Sequence, residues 1–351
     1  MASSTLNPGL LEQLLQGRDL SSDEAAALMQ LWLDGAIEPV LTGALLAGLR
    51  AKGVSGAELA AMAEVLRNAC VLPAERPSLP LVDTCGTGGT RVESGLDSFN
   101  VSTAVAFTAA ACGVNIAKHG NRSASGRVGS ADVLEALGIN LAAPPSAALA
   151  ALPRTGVTFL FAPGWHPSLA GLAPLRKALG VRTVFNLLGP LVNPLRPEAH
   201  VLGVARADLL DPMADALRRL GMARAVVVHG HGGLDEATLS GPSELRVLDN
   251  GQIRAEQLDP VALGLSPAPP EAIRGGDLAT NTAILEAVLQ GRGAPAHSDV
   301  VALNAALVLW VAGRCDTFAG GLAEAHTALG SGAAWQRLQA LRSELGNSAA
   351  G

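Results

Sequence analysis

"DTCGTGGTRVESGLDSFNVST", residues 83–103, reads as the end of a strand, a glycine-rich turn and the opening of a helix. "LVDTC" at 81–85 is the apolar run that enters the turn, and four glycines follow between Gly86 and Gly95. "SFNVSTAVAFTAAACG" then continues as a helix of small residues. Successive backbone N–H groups in such a turn form a concavity that suits an anion, and the helix start adds hydroxyls and a positive dipole end. The stretch is neither G-K-[ST] nor G-x-G-x-x-G, and it contains no lysine. A plain tight turn stays open at this point, and any phosphate bound here needs positive charge from elsewhere.

Outward from this stretch the same unit recurs. "VNIAKHG" reads as a strand running into a loop, "SADVLEALG" as a capped helix, and "VTFLFAP", "HVLGVA", "RAVVVHG" and "SELRVL" as further strands. Strands alternating with helices predict an α/β domain with a mostly parallel central sheet flanked by helices. "GLSPAPPEAIRGG" (264–276) reads as a surface connection.

Upstream the pattern is all-helical. Ser21 with Glu24, and Ser55 with Glu58, make two S-x-x-E capping boxes; Pro39 opens a helix between them that stops at Gly53. "VLPAERPSLP" (71–80) reads as a linker. The expected division is a small helical domain, 1–75, and a large α/β domain, 76–351. Three short amphipathic helices have more apolar surface than they can bury alone, so they pack on the rest of the chain or on a second copy.

Composition narrows the function class. With 49% hydrophobic residues in 351, the chain can bury a large core, and its net charge of −6 argues against general nucleic-acid binding. No apolar run reaches membrane-spanning length, and no signal peptide is visible at the N-terminus. Cys70, Cys85, Cys112 and Cys315 are scattered without zinc spacing and read as reduced thiols of a cytoplasmic protein.

Three further segments carry chemistry. "KHGNRSASGRVGSAD" (118–132) places Lys118, His119, Arg122 and Arg127 among small polar residues, a composition able to surround an oxyanion. Lys118 and Arg122 are the expected source of the charge that the glycine turn lacks. "VVVHGHGGLDEATLSG" (226–241) ends a strand before adjacent Asp235 and Glu236, which suit magnesium or, alternatively, a helix N-terminus. "FAPGWHPSLAGLAPLRKALGVRTVFNLLGPLVNP" (161–194) mixes an apolar wall with His166, Arg176, Arg182, Asn186 and Asn193. An arginine beside such a wall can pair the carboxylate of a small aromatic acid.

Taken together and in order, "DTCGTGG", "FNVST", "KHGNRSAS", "GSADVLEALG", "FLFAP", "HPSLAGLAPLRKALGVRTVFNLLGPLVNP" and "GLDE" closely resemble the anthranilate phosphoribosyltransferase family over nearly the whole chain. The resemblance implies transfer of phosphoribosyl from phosphoribosyl pyrophosphate to the amine of anthranilate, with Mg²⁺ (two ions) and release of pyrophosphate. It implies a nucleoside-phosphorylase-like fold, a helical domain completed by helices around 168–190, and a homodimer formed through that domain. Phosphoribosyl pyrophosphate would be bound by Gly86, Gly89, Thr90, Ser98, Asn100, Val101, Ser102, Thr103, the run Lys118, His119, Gly120, Asn121, Arg122, Ser123, Ala124, Ser125 and Gly126, and Ser130. Ser102 would touch one magnesium, and Asp235 with Glu236 would hold the other. Gly86, Asn121 and Arg176 would contact anthranilate, with His119 and His166 lining its approach. No general base is assigned.

The chain departs from that pattern at Thr90, where the family motif has an acid, at a loop from 90 to 98 longer by roughly four residues, and at Val128 where many members have serine. Asp97 lies close enough in sequence to fold back as a substitute acid; the expectation is that it does not. A pyrimidine-nucleoside phosphorylase of the same fold would lack the "KHGNRSAS" and "GLDE" combination. A non-catalytic nucleic-acid-binding relative would show a basic surface.

Overall fold

The computed structural model describes residues 9–90, 95–122 and 128–346. The expected residues Ser123, Ala124, Ser125 and Gly126 lie outside that set, as does Arg127.

The chain begins with four helices, α1 (Leu10–Leu15), α2 (Ser22–Leu33), α3 (Pro39–Lys52) and α4 (Gly56–Ala69). Both expected capping boxes form, at Ser21 with Glu24 and at Ser55 with Glu58. Glu58 does more than cap. Its carboxylate also accepts the Leu20 N–H at 2.8 Å and pairs with Lys52 at 2.9 Å, so a fully buried acid ties α4 to the α1–α2 loop and to the end of α3.

The helices do not close a core alone. Leu28, Met29, Leu45, Leu49 and Met62 share one apolar cluster with Val184, Phe185 and Leu188, and with Met213 and Leu217 of the helix Leu210–Arg219. Cutting Leu49 or Met62 back to alanine would cost about 2–5 kcal/mol, because both are fully buried in that seam.

Seven strands form one sheet: β1 (Val82–Gly86), β2 (Ile116–Gly120), β3 (Val157–Phe161), β4 (Ala199–Gly203), β5 (Arg224–His229), β6 (Ser243–Asp249) and β7 (Gln252–Leu258). Their order is β3-β2-β1-β4-β5-β6-β7, parallel from β3 to β5 and antiparallel at β6 and β7. The chain runs outward from β1 through β2 to β3 and then returns to the other side of β1, which makes the β1–β4 boundary the topological switch point where α/β folds gather ligands. On one face the helix Val101–Ala111 packs beneath the long buried helix Pro295–Val311, both rich in alanine and valine.

Two expectations need correction. Strand β7 went unrecognised because it is an edge strand of alternating polar residues, IRAEQ, mostly out of the core. Its hairpin was signalled by Asn250 and Gly251, both with positive φ (48° and 84°). The segment 264–276 is a surface connection only at its start. Its end pairs with the glycine-loop region: Phe99 N–H donates to Ile273 O at 3.1 Å and Gly275 N–H to Asp97 O at 2.8 Å.

Candidate active site

A cavity of about 550 Å³ opens at the carboxyl ends of β1, β2 and β5 and extends to the segment 162–192. Its wall includes every sequence-expected residue that the structure describes except Thr103. Thr103 is fully buried within the helix Val101–Ala111, away from the cavity wall, and its hydroxyl has no hydrogen-bond partner among the described residues.

The floor of the cavity is a cradle of glycines around the acid pair. A Cβ on Gly86 would lie 2.0 Å from Asp235 Oδ2, on Gly203 1.6 Å from Asp235 O, and on Gly230 2.0 Å from Glu236 O. Strands β1 and β4 therefore end in glycine, and Gly230 follows β5, so that residues 235–236 can cross over them. Asp235 accepts the Gly88 N–H at 2.8 Å and the Thr90 hydroxyl at 2.5 Å. Glu236 Oε1 is buried with no partner among the described residues. Burial, then the neighbouring Asp235 charge, pushes the Glu236 carboxyl up to about 8 against a hydrogen bond from Ser98. A buried, unpartnered carboxylate oxygen beside a second acid is the donor chemistry of a hard divalent cation.

Lys118 stands under the glycine loop, only 3% exposed, with Nζ donating to Thr84 O at 2.6 Å and to Ser102 Oγ at 3.1 Å. Burial lowers its pKa, against the opposing charges of Cys85, Asp83 and Asp235. Arg122 lies on the cavity wall and is ion-paired there. Its guanidinium pairs with Asp132 at 2.5 Å and Glu135 at 2.8 Å, so its charge is committed at the start of the helix Ser130–Ala136. Among the described residues Arg182 lies on the glycine loop and donates to Thr87 O at 2.6 Å.

On the opposite wall Arg176, half-buried, has its guanidinium carbon 5.3 Å from the centre of the Phe185 ring. Among the described residues no carboxylate pairs with it. His119 and His166 meet edge-on with ring centres 5.3 Å apart. His119 Nδ1 lies 3.1 Å from Gly189 O and therefore carries the proton, which leaves Nε2 as an acceptor, buried without a partner among the described residues. Burial, with the neighbouring His166, lowers its pKa to about 3, so the ring is neutral at ordinary pH. His166 Nε2 donates to Val192 O at 2.9 Å.

Sequence reading missed a buried hub behind these groups. Asp83, fully buried, accepts from Thr84 N at 2.7 Å, His119 N at 3.2 Å and Asn193 Nδ2 at 2.8 Å. Asp83, Cys85 and His200 offer donor atoms within 4.8 Å of one another, as a metal site would. The Asp83 oxygens are already bonded, Cys85 Sγ lies 3.4 Å from His200 Nε2, and Lys118 supplies the local positive charge, so the cluster is a hydrogen-bonded brace. Asn281 is a second omission: it accepts from Gly276 N at 2.7 Å and donates to Asn100 Oδ1 at 3.2 Å at the start of the helix Val101–Ala111. Only their distance in sequence hid these contacts.

Residues 78–335 match the glycosyl transferase family α/β domain and residues 8–70 the helical bundle domain of the same family. Anthranilate phosphoribosyltransferase from a Synechococcus strain is 64% identical over 338 residues, 96% of each chain. That of Prochlorococcus marinus is 63% identical over 96% of this chain and 95% of its own. The crystal structure of the Thermus thermophilus anthranilate phosphoribosyltransferase superimposes with a TM-score of 0.88 at 42% identity, covering 96% of this chain and 99% of that one. The Saccharomyces cerevisiae enzyme in complex with PRPP and Mg gives 0.85 at 25% identity, covering 96% and 97%. The same yeast enzyme in complex with 4-fluoroanthranilate gives 0.84 at 25% identity, over 96% of each chain.

Proposed function

This chain belongs to the anthranilate phosphoribosyltransferase family, and from that premise we propose how its cavity divides between two substrates. The enzyme transfers the phosphoribosyl group of phosphoribosyl pyrophosphate to the amine of anthranilate in tryptophan biosynthesis. The glycine loop, Lys118 and the helix start at Asn100–Ser102 take the phosphate-rich substrate; Arg176, Asn121 and the wall around Phe185 take anthranilate.

The observation that carries this division is the separation of charge within one cavity. Buried Lys118 and the glycine turn lie on one side, and Arg176 over an apolar ring lies on the other. The first suits a multiply charged anion. The second suits a flat acid with a single carboxylate.

Asp235 and Glu236, with Ser102, would hold magnesium, two ions in all, and the glycine cradle and the orphaned Glu236 Oε1 fit that role. Bound there, the metal screens the phosphate oxygens and favours departure of pyrophosphate. The remaining work belongs to the protein. Displacement at the ribose passes through an oxocarbenium-like state, as glycosidic cleavage does, and the aromatic amine is already a usable nucleophile. The chain must therefore place amine and ribose in line and exclude water, which the apolar wall and Arg176 do by orientation. Neutral His119 offers an acceptor to the incoming amine rather than a charge; C–N bond formation releases one amine proton, and no residue is assigned as its general base.

The same reading divides the molecule into a helical domain, 1–75, completed by the segment 168–190, and the α/β domain, 76–351. Residues 184–188 share the helical core, in support. We further propose a homodimer through the helical domain, since Leu15 and Val40 on the neighbouring helices α1 and α3 are 67% and 88% exposed. A cytoplasmic setting agrees with four unpaired cysteines. No helix among the described residues is long and apolar enough to cross a membrane. The test of the reaction is stoichiometry: one pyrophosphate released per anthranilate consumed, and none when magnesium is removed.

A further inference from the structure

The glycine loop is gripped from two sides. Asp235 holds it through the Gly88 N–H and the Thr90 hydroxyl. On the other side Arg182 donates from Nη2 to Thr87 O at 2.6 Å and lays its guanidinium flat against Gly89. A Cβ on Gly89 would lie 2.9 Å from the guanidinium carbon and 3.0–3.1 Å from two of its nitrogens, and Gly89 also has φ +101°. Gly89 is thus required twice, by its conformation and by the arginine that covers it.

Arg182 comes from the segment on the opposite wall. It follows Gly180, which ends the helix Ala173–Leu179 bearing Arg176, and precedes Phe185, whose ring lies under the Arg176 guanidinium. The turn between them is fixed, because Asn186 Oδ1 accepts the Thr183 N–H at 2.9 Å. A single side chain therefore bridges the anion-accepting loop and the wall assigned to the acceptor.

We propose that Arg182 is a positioning residue that clamps the glycine loop in its phosphate-accepting shape and couples that shape to the Arg176 segment. The proposal rests on the assignment of the loop to phosphoribosyl pyrophosphate. The clamp needs the planar fork of arginine: one nitrogen reaches the Thr87 carbonyl while the flat face packs on a residue without a side chain. Lysine supplies the same charge but has no plane to pack and a single nitrogen to bond. Clamp and simple counter-charge thus predict opposite behaviour for the conservative variant.

The experiment measures KM for each substrate, kcat and melting temperature for the full-length enzyme carrying Arg182→Lys, Arg182→Ala or Lys118→Ala. Loss of the charge-assisted bond in Arg182→Ala, and of the planar packing on Gly89 in Arg182→Lys, predicts that both variants raise KM for phosphoribosyl pyrophosphate on the order of tenfold to a hundredfold. Arg182→Lys should give little rescue, and its melting temperature should stay near that of the parent. Wild-type kinetics in Arg182→Lys would overturn the clamp in favour of charge alone. A KM that rises only in step with lost thermal stability would overturn it in favour of a general folding role. If Arg182→Ala does not fold, Arg182→Lys decides between these outcomes. Unaltered phosphoribosyl pyrophosphate kinetics in Lys118→Ala would instead remove the assignment beneath the proposal, and the proposal with it.

Discussion

The Thr90 hydroxyl donates to Asp235 Oδ1 at 2.5 Å and lies 3.2 Å from the Asp235 N–H, so one side chain that is only 7% exposed fastens the acid to the glycine loop. By the sequence resemblance Thr90 stands where the family motif has an acid, and a carboxylate in its place would face Asp235 across a hydrogen-bond distance. Two such charges about 4 Å apart at an effective dielectric near 20 repel by about 4 kcal/mol, a strain that an additional cation relieves. Thr90→Asp should therefore be more strongly inhibited by excess magnesium than the parent. Identical magnesium profiles would mean that the position is electrostatically silent or that Asp97, also on the cavity wall, already acts there.

Arg176→Ala should mainly weaken the use of anthranilate. The lost charge-assisted bond is worth about 1.5–3 kcal/mol, a factor of roughly ten to a hundred in anthranilate KM. Steady-state kinetics with each substrate varied in turn checks this. A change confined to phosphoribosyl pyrophosphate would misplace the acceptor wall.

Asp235→Asn combined with Glu236→Gln should raise the magnesium concentration needed for half-maximal activity, since neutral amides are poorer ligands for a hard cation. The substitution also relieves the desolvation that pushes Glu236 up to about 8, so the folded protein should not lose stability in proportion to its loss of activity. A magnesium titration and a thermal melt on the same sample separate the two. An unchanged titration would reduce the pair to a structural role.

The parts legible in the sequence were those written in neighbouring residues. Ser21 with Glu24, Ser55 with Glu58, and the run from Val82 through the glycines to Ser102 declare capped helices and a strand–turn–helix because each signal spans a few positions. Arg182 was visible as a charged residue in the 161–194 segment, but nothing local connects it to Thr87, 95 positions earlier. Arg122 shows the same limit in reverse: its loop composition favours an anion, but nothing local announces its ion pairs with Asp132 and Glu135, a turn apart on the next helix. The pairing of Ile273–Gly275 with Asp97–Phe99 lay hidden in a segment whose prolines and glycines announce only a connection.

Buried histidine gives a prediction about pH. His200 is 1% exposed, and burial, with the charges of Arg67, Lys118 and His119, lowers its pKa to about 3. The unfolded chain binds a proton there near pH 6.5 and the folded chain does not, so this group's stabilisation is complete above pH 6.5 and is lost as pH falls toward 3. The loss amounts to at most about 1.4 kcal/mol per pH unit. His200→Gln removes the term, so the melting-temperature gap between parent and variant should narrow between pH 7 and pH 4.5. A gap that stays constant over that range would contradict a neutral buried His200.

The central claim is tested most directly by the fluorescence of anthranilate in a mixture of the purified protein, phosphoribosyl pyrophosphate and Mg²⁺. The account predicts that the signal decays to completion when all components are present and is stable when either magnesium or phosphoribosyl pyrophosphate is left out. Undiminished fluorescence in the complete mixture, with protein shown to be folded by its melting transition, would contradict it.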